Sequence, residues 1–399
     1  MKPIIHSKYG TDGYKLTMGY IFWFMNFIQG HQIQARYLFV DRDDRVFPEG
    51  FSNQLQDEIE SMASLDSNPA IAEYVTKKWQ FINQEFLRWY DQVFYHDPSQ
   101  VDLSQKDGKL RLIVEGPIHT ASHFEIPILR AISTLVTRLS GNHPKSGWLK
   151  EAENNALLLH ENNVNYSEFG GRRPFSPEVH WETLNKYAGY RKSEGKGGLL
   201  GTSWVEYAYE LNLMIIGTMA HEYPQMMAAI YGYENANKMA MATWVEHYGR
   251  RLGYYLPDTF TTEVALRDFN LQRAGTFEGV RQDSGDTHWF ADRMVRHYES
   301  LKIDPRQKSI IYSNSLKTIA EILELNTYRQ GEFKRSFGLG GFITNNVGPK
   351  PHNMVLKLVA IRVGDGPWID TVKLSDDPGK SIGKPEEIAR CRKILGLPE

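Results

Sequence analysis

Residues 166 to 173, Tyr-Ser-Glu-Phe-Gly-Gly-Arg-Arg, bring an aromatic ring, a turn of two glycines and two guanidinium groups into one short run. Paired glycines let the backbone turn sharply or come close to a ligand, and adjacent arginines offer planar donor forks suited to phosphate oxygens. The chemistry this run asks for is an anion held beside a flat ring. A second group stands at 281 to 286, Arg-Gln-Asp-Ser-Gly-Asp, where Asp283 is a carboxylate on a flexible turn and Asp286 is placed to cap a following helix. Gly338, Gly340 and Gly341 make a third, because the amides of a glycine-rich turn after a strand can cradle a phosphate; a tight turn alone would also account for them. Ser313 and Asn314 would add donors to such a phosphate. His221 follows Gly-Thr-Met-Ala, and taken alone it reads as a satisfied structural histidine. His119, His123, His180 and His352 show no metal-like spacing with a second ligand.

The rest of the chain must supply a scaffold for these groups. It has 399 residues, with 46 Lys plus Arg against 48 Asp plus Glu and a formal net charge of -2, so any positive site is local. Sequence-independent nucleic-acid binding needs a broad basic surface, which this balance removes. Hydrophobic residues at 41% and charged ones at 24% match an ordinary globular protein able to bury a large core. One cysteine, Cys391, rules out an intrachain disulfide and a cysteine zinc cluster, in keeping with a reducing cytoplasm. The apolar run 16 to 28 contains Asn26 and falls short of the ~20 residues a membrane span needs. It has no basic leader or cleavage site, and is expected to be a buried helix starting near Asp12 as N-cap.

Strand character appears at 34 to 40 and 109 to 115, with helix between them and again at 126 to 139. In 71 to 94 the positions Trp79, Ile82, Phe86, Tyr90, Val93 and Phe94 recur at helical spacing and are read as core. The middle of the chain then changes rhythm. Short apolar runs end in small or polar residues at 201 to 203, 217 to 221, 257 to 259, 281 to 286, 313 to 315 and 337 to 341, each leading toward a helical pattern or a turn. Successive βα units of this kind form a parallel sheet, and in a barrel all the strand exits converge on one face. Strand-like runs return at 354 to 363 and 368 to 374. The expected fold class is α/β, an irregular TIM-like α/β barrel plus a mixed α/β domain built from both chain ends. The expected divisions are 1–140, 141–350 and 351–399, the last packing back on the first.

Taken together, the segments TDGYKLTM, VEGP, YSEFGGRRPFS, GTSWV, GTMAHEYPQ, VRQDSGD, SFGLGG and KLSDDPGKSIGK, in that order over most of the chain, resemble the nicotinate phosphoribosyltransferase family. The resemblance implies a cytoplasmic enzyme of NAD salvage in which nicotinate attacks C1 of phosphoribosyl pyrophosphate. The products would be nicotinate mononucleotide and pyrophosphate, with ATP as co-substrate and Mg2+ as cofactor. It also implies a homodimer with shared active sites, and no nucleic-acid or membrane partner. Phe169 would cover one face of the pyridine and Tyr14 of a partner subunit the other. Arg281 would hold the carboxylate, with Ser203 and Thr202 at the neighbouring strand exit. Arg172 would contact the ribose-linked phosphates, and Ser313, Asn314, Gly338, Gly340 and Gly341 the 5′-phosphate. Asp283 would serve the metal, Arg281 or the ribose hydroxyls, since Mg2+ is content with one carboxylate plus substrate oxygens. His221 would become a transient phosphohistidine, one nitrogen attacking ATP while a hydrogen bond holds the other.

Two positions depart from the family pattern: Trp204 stands where a small polar residue is usual, and Gly341 where a threonine is usual. Bulk at 204 could narrow the pocket, and glycine at 341 removes a phosphate hydroxyl. Related nicotinamide enzymes carry an aspartate at the position of Ser203, which would repel a carboxylate, so Ser203 favours the acid. The alternatives are a nicotinamide phosphoribosyltransferase, a silent ring-and-phosphate binder and a barrel glycosidase, the last leaving the arginines and glycines unexplained.

Overall fold

The computed structural model describes residues 3–314, 316–377 and 379–398, so Ser315 and Pro378 of the quoted motifs lie outside it. Helix Gly13–Trp23 is buried along every face except at Tyr14, and its one charged residue, Lys15, is sealed in with the apolar ones. Asp12 occupies its N-cap position but makes no capping bond with its side chain. A π-helical turn, Phe24–Ile28, continues it and turns Phe27 and Ile28 out to solvent. The aromatic stripe of 71 to 94 is two helices, Pro69–Lys78 and Gln84–Gln92. Asn68 and Asn83 each cap one of them, Asn83 accepting from the amides of Glu85 and Phe86. Trp79, Ile82, Phe86, Tyr90 and Phe94 are core residues as expected. Val93 is 64% exposed, because it lies just past the second helix, where the helical spacing no longer applies.

Two sheets organise the chain. The strands β1 (Ile33–Asp41), β2 (Val101–Lys106) and β3 (Lys109–Pro117) belong to a five-stranded sheet. β1 alternates buried and half-buried residues, the period-2 signature of a sheet with one covered face. β2 and β3 pair antiparallel through a two-residue turn at Asp107 and Gly108, both left-handed, at φ 50° and 72°. The parallel strands are β4 (Asn165–Glu168), β5 (Gly198–Thr202), β6 (Met214–Ile215), β7 (Tyr254–Tyr255), β8 (Gly279–Gln282), β9 (Ser309–Tyr312) and β10 (Lys334–Leu339). They stand in the order β6-β5-β4-β10-β9-β8-β7. β11 (Met354–Val363) and β12 (Ile369–Asp370) complete the first sheet in the order β12-β11-β1-β3-β2. The expected α/β class with a parallel sheet and a second, mixed element is therefore the class found. The strand expected at 368 to 374 shrinks to two residues.

By internal contacts the chain divides into one unit of Met1–Gly217 with Leu339–Lys357 and another of Thr218–Gly338 with Leu358–Glu399. In the second unit, helix Pro385–Ile394 buries Cys391 in an apolar cluster with Tyr233, Phe260, Val264, Val372 and Leu374. Each unit carries its own polar centre at the carboxyl ends of its parallel strands.

Candidate active site

The centre of the second unit is built from strand exits. His221 precedes helix Glu222–Tyr231 and is only 6% exposed. Its Nδ1 lies 3.0 Å from Thr259 Oγ1, beyond β7, and its Nε2 lies 3.0 Å from Asp283 Oδ2, beyond β8. Lys373 Nζ is 2.8 Å from Nε2 and 3.4 Å from Asp258 Oδ2, while Asp258 Oδ1 stands 3.8 Å from Nε2. Burial, helped by the Lys373 ammonium, outweighs the two carboxylates and pushes the imidazole pKa down to about 4, so the ring is neutral at physiological pH. Burial also works against ionisation of Asp283. The Arg281 guanidinium and the hydrogen bond with His221 overcome it and hold that carboxyl well below the usual range.

Arg281 and Ser313 join the same network. Arg281 donates to Asp283 Oδ1 at 3.1 Å, to Ser313 Oγ at 3.3 Å and to the Met219 carbonyl at 3.1 Å. Ser313 Oγ lies 2.9 Å from Asp283 Oδ1, and Asn314 donates to the Gly285 carbonyl at 3.1 Å. Two buried groups here lack a hydrogen-bond partner, Arg281 Nε and Asp258 Oδ1. Buried polar groups are ordinarily satisfied, so these two are where a ligand would complete the network. His221, Asp258 and Asp283 each offer one atom within 4.8 Å of the others, a spacing a cation could use. Asp286 caps helix Thr287–Ser300 by accepting from Trp289 N at 2.7 Å, as its position implied.

The centre of the first unit surrounds the double glycine. Glu168, fully buried at the end of β4, accepts from Thr202 Oγ1 and from the Gly170 amide, and lies 3.3 Å from His180 Nε2. Arg130, 1% exposed, donates to the Gly171 carbonyl at 3.1 Å and to Tyr207 Oη at 2.9 Å, and its guanidinium lies 4.1 Å from the centre of the Trp204 ring. The bulk of Trp204 is thus taken up beneath the glycine turn, stacked on Arg130. Thr202 also accepts from Trp204 N at 2.9 Å, so its hydroxyl is engaged on both sides within the protein. Phe169, half-buried, donates its amide to the Leu339 carbonyl at 2.8 Å, which sets its backbone beside the Gly340 turn. Gly338 lies within β10, and Gly341 opens the short helix Gly341–Thr344 with nothing near the position a Cβ would take.

Around Glu125 the charges are dense. Lys15 Nζ is 2.8 Å from its carboxylate, Tyr14 Oη 3.4 Å and Arg172 3.6 Å. Burial opposes ionisation there, but Lys15, Lys357 and Arg172 pull the pKa down to about 2. Arg173 is pushed down to about 9 by burial and by the Arg172 and Arg42 guanidiniums. Three guanidiniums crowded in this way favour a bound anion. Ser203 Oγ donates to Asp12 Oδ1 at 2.7 Å, and burial raises Asp12 to about 7.

Of the residues singled out from the sequence, the structure places His221, Arg281, Asp283 and Ser313 at one centre, and Phe169, Arg172, Ser203 and Gly340 in the first unit, so Ser203 is not in the unit of Arg281 and Ser313 is not in the unit of the Gly340 turn. Sequence reasoning passed over Asp258, Thr259 and Lys373 at the first of these, and Asp12, Arg42, Arg130 and Glu168 in the other. Most of these stand inside or beside runs already singled out, so strand-exit position was an available signal. Arg42 and Arg130 lie outside such runs and carried none.

The sequence model of the nicotinate phosphoribosyltransferase (NAPRTase) family matches residues 164–399, and that of its N-terminal domain matches 10–133. The nicotinate phosphoribosyltransferase of Desulforapulum autotrophicum is 34% identical over 98% of this chain and 99% of its own. That of Chromohalobacter salexigens is 32% identical over 91% and 92%. The crystal structure of the nicotinate phosphoribosyltransferase from Porphyromonas gingivalis superposes with a TM-score of 0.93 at 35% identity, over 99% of this chain and all of that one. The chain belongs to the nicotinate phosphoribosyltransferase family.

Proposed function

We propose that this protein transfers the phosphoribosyl group of phosphoribosyl pyrophosphate to nicotinate in NAD salvage, coupled to cleavage of ATP at His221. The nicotinate ring nitrogen would bond to C1 of the ribose as the C1–O bond to pyrophosphate breaks. The observation that carries the reading is the His221 centre: a buried imidazole kept neutral, with Nδ1 anchored at Thr259 and Nε2 turned toward Asp283 and Lys373, in a chain of this family. A neutral imidazole so held is suited to accept a phosphoryl group.

In this reading Phe169 supports the pyridine and Ser203 meets its carboxylate. Arg172 and the Gly340 turn serve the phosphates. Arg281, whose Nε lacks a partner, is assigned to substrate oxygen or to the carboxylate. Asp258 and Asp283 fit Mg2+, because oxygen ligands suit it and Asp258 Oδ1 accepts no hydrogen bond. When bound, the ion would neutralise charge on phosphate oxygens. Asp283 already receives His221, Arg281 and Ser313, so Asp258 is the freer of the two carboxylates. A cytoplasmic homodimer, with Tyr14 covering the partner's ring site, belongs to the same proposal.

Purified protein given nicotinate, phosphoribosyl pyrophosphate, Mg2+ and ATP is expected to form nicotinate mononucleotide. His221→Ala is expected to retain slow ATP-independent transfer while losing phosphate labelling from γ-labelled ATP. No mononucleotide from the wild-type protein would sink the transfer reading, and undiminished labelling of the variant would move the phosphoryl group to another residue.

A further inference from the structure

Ser203 is fixed by its backbone and free only at its hydroxyl. Its amide donates to the Glu168 carbonyl at 2.9 Å, and its carbonyl accepts from Gly13 N at 2.6 Å. Asp12 and Trp204 form an antiparallel bridge, and Val205 N and Glu206 N donate to the Thr11 and Tyr9 carbonyls. The N-terminal segment is thus stitched onto the turn after β5, with the Ser203 hydroxyl aimed at Asp12 Oδ1, 2.7 Å away. Both residues are nearly sealed from water, Asp12 at 2% and Ser203 at 4% exposure.

A hydroxyl has one proton to give. If Asp12 is ionised it can only accept, so it takes that proton and leaves Ser203 with lone pairs alone. If Asp12 is protonated it can donate to Ser203 Oγ, and the Ser203 proton is released toward a ligand. The charges facing Asp12 are Glu168 at the end of β4, Arg172 beyond it and Glu125 on helix Glu125–Leu139. Burial is the largest influence on its carboxyl and sets it to titrate at about 7, where both forms are populated.

Resting on the nicotinate reading of Ser203, we infer that Asp12 is a specificity-determining residue. Its ionised form makes Ser203 an acceptor suited to a carboxamide, and its protonated form makes Ser203 a donor suited to a carboxylate. The acid ligand then binds together with a proton on Asp12, and the choice between acid and amide depends on pH. Asp12 acts through Ser203 and is a positioning residue.

Calorimetric binding of nicotinate mononucleotide and its carboxamide analogue tests this, because their shared phosphate cancels in the ratio of the two Kd values. Between about pH 6 and 8.5 that ratio is expected to rise against the acid on the order of tenfold, as for a ligand coupled to one proton. Titrations in buffers of different ionisation heat are expected to show proton uptake with the acid. Asp12→Asn, whose amide can donate to Ser203 at every pH, is expected to flatten the ratio and abolish the uptake. Ser203→Ala, a smaller change, is expected to flatten it as well. A pH-independent ratio in the wild-type protein, or an unaltered dependence in either variant, overturns the inference and leaves phosphoribosyl transfer standing. Failure of the wild-type protein to bind the acid mononucleotide at any pH removes both.

Discussion

Gly171 and Gly341 are glycines for different reasons. A methyl at 171 would overlap the Trp204 ring and come within 2.6 Å of Asp12 Oδ1, neither of which can retreat from its packed surroundings. Gly171→Ala is therefore expected to cost about 1 to 3 kcal/mol, read as a lowered thermal midpoint. At 341 a side chain would meet open space, and the backbone there is not left-handed. Gly341→Thr is expected to change stability by less than about 0.5 kcal/mol and to lower KM for phosphoribosyl pyrophosphate by adding a hydroxyl to the phosphate turn. Equal destabilisation by the two substitutions would show that the turns are packed alike. The contrast also settles the two departures from the family pattern in physical terms. Trp204 is matched by Gly171 beneath the turn, whereas Gly341 leaves a space unfilled.

At the level of elements, residues 71 to 94 show how a pattern can be right about burial and wrong about continuity. The helical spacing of Trp79, Ile82, Phe86 and Tyr90 identified core residues. It could not show that one helix stops at Lys78 and that Asn83 starts the next by taking the amides of Glu85 and Phe86. Asn83→Ala is expected to lose about 1 kcal/mol in chemical denaturation, and an unchanged midpoint would mean the cap contributes nothing. The parallel strands were legible because each apolar run stops at polar or small residues, as at Thr202-Ser203 and Gln282-Asp283. The 368 to 374 run was misread as a full strand because beyond Asp370 its pairing is broken up, with Lys373 in an isolated bridge to Ile382, while Val372 and Leu374 are buried in the apolar cluster around Cys391. The partners of His221 were hidden for a related reason. Thr259, Asp283 and Lys373 are brought to it by three separate segments, and spacing along the chain records nothing of that convergence.

For the whole molecule, the buried histidines set a limit on the acid side. His96 and His123 are almost wholly buried and packed against Phe94, and His119 lies close by. Burial pushes His96 and His119 down to about 4, and His123 well below its ordinary value. The unfolded chain takes up protons below about pH 6.5 while the folded one resists, so stability is unaffected above that pH and falls as pH drops toward 4. Each of His96 and His119 would contribute up to about 3 kcal/mol to that loss. The urea midpoint is expected to be clearly lower at pH 5 than at pH 7.5, with a smaller gap in His96→Phe. Equal midpoints at the two pH values would contradict the burial argument.

Cys391 gives the molecule a practical property. Its thiol is sealed within the cluster around Tyr233 and Leu374, and burial pushes it up to about 12, so at neutral pH almost no thiolate is available to react. Because the chain has no other cysteine, the native protein should stay silent toward maleimide dyes. A single cysteine engineered on the surface would then be the sole point of attachment for a fluorophore or spin label, without first stripping out native thiols.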